Sequence, residues 1–272
     1  MLGSATDAED IVQEAFLRWL QESDEEKVQS PRAYLSTVVV RLCIDQLRSA
    51  KVQREIYVGP WLPEPIPTGQ YQELSERAVL TESLSFAFLV MLESLGPLER
   101  AVFLLREVFD YDYAEIAAIV GKSEANCRQT LHRAHQHLGQ HRPRFDVSHE
   151  QQERITYQFL RASVSGDMQG LLNLLADDIV FTGDSGGKAQ AGLRPVHGAD
   201  KVARGMLGGL SKWLPPRVQP RVEEVNGQLA IVGYLDDYPY GVMILDIAGE
   251  RVRGVYVVLN PDKLHWLDTL PH

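Results

Sequence analysis

Residues 113–138 read YAEIAAIVGKSEANCRQTLHRAHQHL, and this stretch decides the fold of the first half of the chain. Ile116, Ala117, Ile119 and Val120 form one apolar face. Cys127, Leu131, Ala134 and Leu138 then recur at spacings of four, three and four, a helical period. Between the two patterns, Gly121 can take the positive φ that a helix end needs, and Ser123 is a ready N-cap. Two helices joined by a short Gly-containing turn make a helix-turn-helix. Asn126, Arg128, Gln129, His132 and Arg133 occupy the outward positions of its second helix, and such side chains hydrogen-bond base edges and phosphates. An ordinary αα-hairpin with a solvated polar face has the same pattern.

The charge distribution favours the first of these readings. The net charge of −10 over 272 residues argues against indiscriminate binding to nucleic acid. Yet from Lys122 to Arg144 there are five Lys/Arg, four His and a single acidic residue, Glu124. A local basic stripe on an acidic protein fits a chain that meets DNA at one face. The length predicts two domains. No window approaches the roughly 18 apolar residues of a membrane span, and the N-terminus has no signal pattern. Cys43 and Cys127 sit among apolar helical residues and read as buried thiols of a reducing compartment, so a cytoplasmic chain is expected, with no metal site and no cofactor.

Outward from that stretch, helices continue. Thr6-Asp7-Ala8-Glu9 has the form of a capping box and opens a helix with Ile11, Val12, Ala15, Phe16, Trp19 and Leu20 on one face and Asp10, Gln13, Glu14 and Arg18 on the other. Ser30-Pro31 opens a second helix, with Ala33, Leu35, Val38, Val39, Leu42, Cys43 and Leu47 inward and Arg41, Asp45, Gln46, Arg48 and Lys51 on its polar side. Pro60, Pro63, Pro65 and Pro67 then impose an extended linker. Its Trp61 is expected to dock on a surface of this chain or of a partner. A stripe of Leu84, Phe88, Met91, Leu92 and Leu95 stops at Gly96, and Pro97 starts a helix with Leu98, Val102, Leu105 and Val108. Asp110 to Tyr113 reads as the loop before the helix-turn-helix.

After residue 148 the pattern becomes mixed. Helices are predicted over 151–165, 168–175 and 201–210, and strands over 178–182, 218–225, 228–235, 241–247 and 252–259. Asn226-Gly227 is a strong hairpin signal between two of the strands. Helices followed by an antiparallel meander give an α+β layer.

In this order the pieces resemble bacterial extracytoplasmic-function sigma factors of the sigma-70 family. The match rests on ATDAEDIVQEAFLRW (Ala5 to Trp19), Pro31 to Arg48, and Leu98 to Leu138, and covers about residues 1–142. The resemblance implies two all-α domains, the second a helix-turn-helix domain. Core RNA polymerase would be met by Asp10, Gln13 and Glu14, and the minus-ten promoter element by Arg41, Asp45 and Arg48. The minus-thirty-five element would be met by Lys122, Ser123, Asn126, Arg128, Gln129, His132 and Arg133.

A narrower resemblance lies in three motifs, WLPEP (Trp61 to Pro65), DSGGK (Asp184 to Lys188) and NPDKL (Asn260 to Leu264). They are similar to those of sigma factors that carry a SnoaL-like C-terminal extension, with Ser185 replacing a glycine of the usual form. That implies an α+β SnoaL-like cone with a curved antiparallel sheet, a fold that often holds a pocket. It also implies regulatory contacts through Trp61, Leu62, Pro63, Asp184, Gly186, Gly187, Lys188, Asn260, Pro261, Asp262, Lys263 and Leu264. The expected domains are 1–52, a Pro-rich linker over 53–80, the helix-turn-helix domain over 81–142 and the cone over 148–272. Family members have one more helix before the position of Met1, so a truncated start is expected.

The function expected is that of a promoter-specificity subunit without catalytic residues, modulated by its C-terminal domain. The sequence names neither a small ligand nor an anti-sigma protein. A ligand-sensing helix-turn-helix regulator is the alternative, and an isomerase or hydrolase of the cone fold the third. For the last, Asp184, Asp236, Asp237, Tyr234, Tyr238, Tyr240 and Tyr256 are of suitable type, but no spacing links them.

Overall fold

The computed structural model describes residues 1–22, 30–54, 57–68, 85–138, 147–189 and 194–269. The chain forms two compact units, one made of Met1–Ile56 with Leu89–Arg142, the other of Tyr57–Phe88 with Pro143–His272.

The first unit is helical. Helix α1 (Ala5–Glu22) starts two residues earlier than the capping-box pattern suggests. Ser4, not Thr6, is the cap: its Oγ accepts from the Asp7 backbone N–H at 3.2 Å. A hydroxyl caps the donors two or three residues ahead, and either residue has a suitable sequence behind it. Helix α2 (Pro31–Arg54) begins where expected, with Ser30 Oγ accepting from Ala33 N–H at 3.3 Å. Ile11 of α1 packs with Cys43 and Leu47 of α2 and with Leu2. Both cysteines are buried and unpaired, and burial pushes both thiols up, away from reactive thiolate.

Helix α3 (Phe86–Leu92) is divided, Phe86–Phe88 belonging to the second unit and Leu89–Leu92 to the first; helix α4 (Pro97–Phe103) follows and runs on into a π turn at Leu104–Val108. Arg100 of α4 is almost wholly buried, and its Nη1 donates to the Met1 carbonyl at 2.6 Å and to Glu93 at 2.9 Å. Helices α5 (Tyr113–Val120) and α6 (Glu124–Leu138) form the helix-turn-helix. Tyr113 is the first residue of α5 rather than part of the preceding loop. Asp112 caps that helix through Glu115 N–H at 2.8 Å, and Glu115 bonds back to Asp112 N–H at 2.9 Å. Gly121 ends α5 with a φ of 66°, the left-handed conformation that the sequence pattern requires. Ile116, Ile119, Cys127, Leu131, Ala134 and Leu138 turn inward.

The second unit contains helices α7 (His149–Ser165), α8 (Met168–Leu174) and α9 (Ala199–Trp213). Its strands are β1 (Leu175–Asp184), β2 (Val196–His197), β3 (Gln219–Val225), β4 (Gln228–Leu235), β5 (Tyr238–Ala248) and β6 (Arg251–Val258). The sheet order is β2-β1-β6-β5-β4-β3. It is mixed, not antiparallel as expected, because β1 and β6 run parallel. The long excursion through α9 and the meander supplies the crossover that parallel strands need, and local strand patterns carry no sign of it. Register shifts lie in the β1–β6, β4–β5 and β5–β6 pairings, and such bulges bend a sheet. Asn226 and Gly227 have φ of 52° and 71°, as a two-residue primed hairpin demands. Asp236 and Asp237, at 51° and 66°, make a second one that the sequence did not announce.

Phe159, Leu171, Leu175, Ile179, Val202, Met206, Ile231, Leu245 and Val255 fill the space between helices and sheet. Among the described residues, apolar side chains therefore pack the space between these helices and the sheet. The opposite face is also covered. Tyr256 registers with Ile244 on that side and meets Phe86 at a ring distance of 5.7 Å. Leu62, Leu264 and Leu267 are buried as well. Among the described residues, no helix is long and apolar enough to cross a membrane.

Candidate nucleic-acid interface and linker latch

In the first unit, α6 presents Asn126, Arg128, Gln129, His132 and Arg133 on its exposed side, with Lys122 and Ser123 exposed in the turn before it. Ser123 is the N-cap, its Oγ accepting from Asn126 N–H at 3.3 Å. The row is partly prearranged. Arg133 donates to Thr130 Oγ1 at 3.2 Å, His132 meets Gln136 at 3.1 Å, and Arg128 donates to Glu124 at 2.7 Å. Helix N-terminal amides and basic side chains together favour a polyanion.

The polar set of α2 divides. Asp45 and Arg48 are exposed and pair with each other at 3.2 Å. Arg41 instead donates from Nε to the Ile119 carbonyl at the end of α5, at 3.1 Å, where a cation also meets the negative end of the helix. Ser36 and Tyr111 are hydroxyl partners at 2.9 Å, and Arg32 lies over the Tyr111 ring. On α1, Asp10 and Gln13 are exposed, and Glu14 pairs with Arg18 at 2.7 Å.

In the second unit the three separated motifs converge. Asp184, at the end of β1, is wholly buried. Its Oδ2 accepts from the Leu62 backbone N–H at 2.8 Å and from Lys263 Nζ at 2.7 Å. Its Oδ1 accepts from the Tyr57 hydroxyl at 2.5 Å and from Gly186 N–H at 3.1 Å. Lys263 Nζ also donates to the Leu62 carbonyl at 2.5 Å and lies 3.8 Å from the Trp61 ring centre and 5.2 Å from that of Tyr57. Asn260 Nδ2 donates to the Tyr57 hydroxyl at 2.9 Å, and its Oδ1 accepts from Asp262 N–H. Outside the buried pair, Lys188 and Asp262 make an exposed ion pair. Buried charges persist where each is paired and hydrogen-bonded, and here both are.

Gly186 and Gly187 of DSGGK take positive φ, 55° and 75°, and both sit in tight surroundings. A Cβ on Gly186 would lie 2.7 Å from Asn260 Nδ2 and 3.0 Å from the Tyr57 hydroxyl, and one on Gly187 would lie 3.1 Å from Val58 Cβ. Ser185 has an ordinary negative φ, so the side chain that replaces the family's glycine fits without strain.

Further along the linker, Ile66 and Asn226 exchange two hydrogen bonds, at 3.1 and 2.8 Å, and Thr68 bonds Glu224 and Gly227. Tyr57, Thr68 and Asn226 were missed as linker contacts. Tyr57 lies outside any motif, and the hairpin role of Asn226 accounted for it fully.

The residues of enzyme type are not brought together. Asp184 is committed to the latch, and Asp236 and Asp237 pair with Arg217 and Arg221 at an exposed turn. Tyr234 bonds Glu223, Tyr238 is exposed, and Tyr256 packs on Phe86.

Burial, aided by the neighbouring Asp184 carboxylate, pushes the Tyr57 phenol up. Burial does the same to Tyr256. A folded-state pKa above the unfolded value near 10 adds stability that is fully present below that pH and lost as pH rises beyond it. The melting temperature should therefore fall as pH rises above about 10, and Tyr57→Phe should flatten part of that fall. Equal slopes for the two proteins in a pH series of thermal melts would remove Tyr57 from this account.

Residues 1–52 match Sigma-70 region 2, and residues 85–138 match Sigma-70, region 4. The chain is 36% identical to ECF RNA polymerase sigma factor SigJ of Mycobacterium tuberculosis, over 97% of this chain and 87% of that one. The chain is an extracytoplasmic-function RNA polymerase sigma factor. The sigma factor is also 32% identical to the probable ECF RNA polymerase sigma factor SigI of the same organism, over 97% of this chain and 88% of that one. The crystal structure of SigJ superposes with a TM-score of 0.77, covering 97% of this sigma factor and 91% of SigJ. Its function is to direct promoter-specific transcription initiation, as sigma factors do with core RNA polymerase and promoter DNA.

Proposed function

We propose that helix α6 reads the minus-thirty-five element through Asn126, Arg128, Gln129, His132 and Arg133, with Lys122 and Ser123 on the backbone. In the same reading, Asp45 and Arg48, with Arg41 once it leaves Ile119, meet the minus-ten element, and the Asp10, Gln13 and Glu14 side of α1 meets the polymerase. The C-terminal α+β domain acts without catalysis as a brace on the linker, in the cytoplasm. This account needs neither a small ligand nor an anti-sigma protein.

The observation that carries the reading is the exposed basic and amide row on α6, set behind a well-capped turn in an otherwise acidic protein. Arg128→Ala tests it. Loss of one bidentate base contact costs about 1–3 kcal/mol, so transcription from the cognate promoter by reconstituted polymerase should drop roughly 5- to 150-fold. Core binding should be unchanged. Full activity of the variant would refute the assignment of the recognition helix.

A further inference from the structure

Arg128 does not stand alone on the recognition helix. Its guanidinium carbon lies 4.7 Å from the centre of the Tyr113 ring, and Arg106 from the π turn lies 5.5 Å from the same ring. Tyr113 is thus flanked by two guanidinium groups from two different elements. Its own backbone is fixed as the first residue of α5, inside the Asp112–Glu115 capping box. Arg106 is anchored by a 2.8 Å hydrogen bond to the Tyr111 carbonyl and by Asp110. Arg128 is also drawn to Glu124, the first residue of α6, at 2.7 Å.

We propose that Tyr113 is a positioning residue for promoter discrimination, holding the Arg128 guanidinium in one plane so that its remaining N–H donors face a single base pair. The proposal rests on the reading that α6 enters the minus-thirty-five element. The physical reason is entropic and geometric. A free arginine side chain samples many rotamers, and fixing it on binding weakens affinity by up to about thirty-fold. A guanidinium stacked on an aromatic face before DNA arrives has already lost part of that freedom. The attraction is between the cation and the ring's electron-rich face, and it leaves N–H donors available. Five donors less the one given to Glu124 leave enough for a two-pronged contact with a guanine edge. Tyr113 touches no base in this scheme and acts only through Arg128.

The experiment uses holoenzyme assembled from core polymerase and the full-length chain. Transcription is measured on the cognate promoter and on every single substitution of its minus-thirty-five element, for wild type, Arg128→Ala, Tyr113→Leu and Tyr113→Phe. Arg128→Ala identifies the base pair whose discrimination collapses. Tyr113→Leu is expected to weaken discrimination at that same base pair by about two- to five-fold, the strength of an exposed cation–π contact, and to leave other positions unchanged. Tyr113→Phe retains the ring face and should behave as wild type.

A uniform fall across all promoters with Tyr113→Leu, or equal loss with Leu and Phe, would show a structural role and overturn the proposal. So would wild-type discrimination with Tyr113→Leu while Arg128→Ala still collapses it. If Arg128→Ala itself flattens no position, the underlying assignment of α6 fails first. A thermal melt of each variant keeps loss of folding separate from loss of discrimination.

Discussion

Asp184→Ala is expected to lower the melting temperature of the second unit by roughly 6–20 °C. Removing one partner of a buried ion pair costs about 3–5 kcal/mol, and each kcal/mol moves a unit of this size by about 2–4 °C. The Lys263 side chain is only 6% exposed and the Asp184 side chain not at all, so solvent cannot take over the orphaned ammonium. Three further donors, Leu62 N–H, Tyr57 Oη and Gly186 N–H, lose their acceptor in the same step. The linker should be released as well, because Leu62 is held at its N–H by Asp184 and at its carbonyl by Lys263. Limited proteolysis should then cut near Trp61 in the variant and spare it in the wild type. The pair Asp184→Leu with Lys263→Met removes both charges and should recover part of the loss, but not all, since the Leu62 and Tyr57 donors stay unsatisfied. Calorimetry of the three proteins decides the matter. A shift under about 2 °C for Asp184→Ala would mean that the pair is not the main tie.

Much of this architecture was legible because local chemistry fixes it. Gly121 and Ser123 mark the turn of the helix-turn-helix, and the structure gives the one a left-handed φ and the other the capping hydrogen bond. Strands β3 to β6 fall close to where alternation and hairpin residues put them. Non-local choices were not legible. Nothing in Leu175 to Asp184 announces that β1 will lie parallel to β6, some seventy residues on. The choice between Ser4 and Thr6 as cap depends on where α1 can pack, not on the hydroxyls themselves. The meeting of WLPEP, DSGGK and NPDKL rested on resemblance, and composition alone assigned them to loops. Tyr57 carries as much of the latch as Trp61, yet a lone tyrosine ahead of a proline run gives no signal. Arg41 read as one of a polar row with Asp45 and Arg48, but only contact with α5 sets it apart.

Truncation after residue 205 is expected to remove the linker brace outright. That cut falls inside α9 and deletes Met206 together with β3 to β6. Ile231, Leu245, Ile247, Val252, Val255 and Val257 go with them, leaving α7, α8 and β1 with no sheet to pack on. Fully burying each such side chain is worth about 1.5–3 kcal/mol, so the six together match or exceed a domain's net stability of about 5–15 kcal/mol and the remainder should not fold. Asn226, Asn260 and Lys263 are lost too, and Asp184 keeps no cation. A cut after Leu264 is the informative contrast, because it keeps every one of those latch residues and sacrifices the buried Leu267. If the brace governs the reach of the two DNA-reading regions, transcription by holoenzyme carrying the 205 truncation should differ from full length by more than about three-fold. The change follows from turning an ordered tether into a flexible one and so altering effective concentration. The 264 truncation should remain much nearer the full-length output. Identical transcription from the full-length chain and the 205 truncation, with the linker shown to be protease-sensitive only in the latter, would separate the latch from promoter function and leave it a purely structural device.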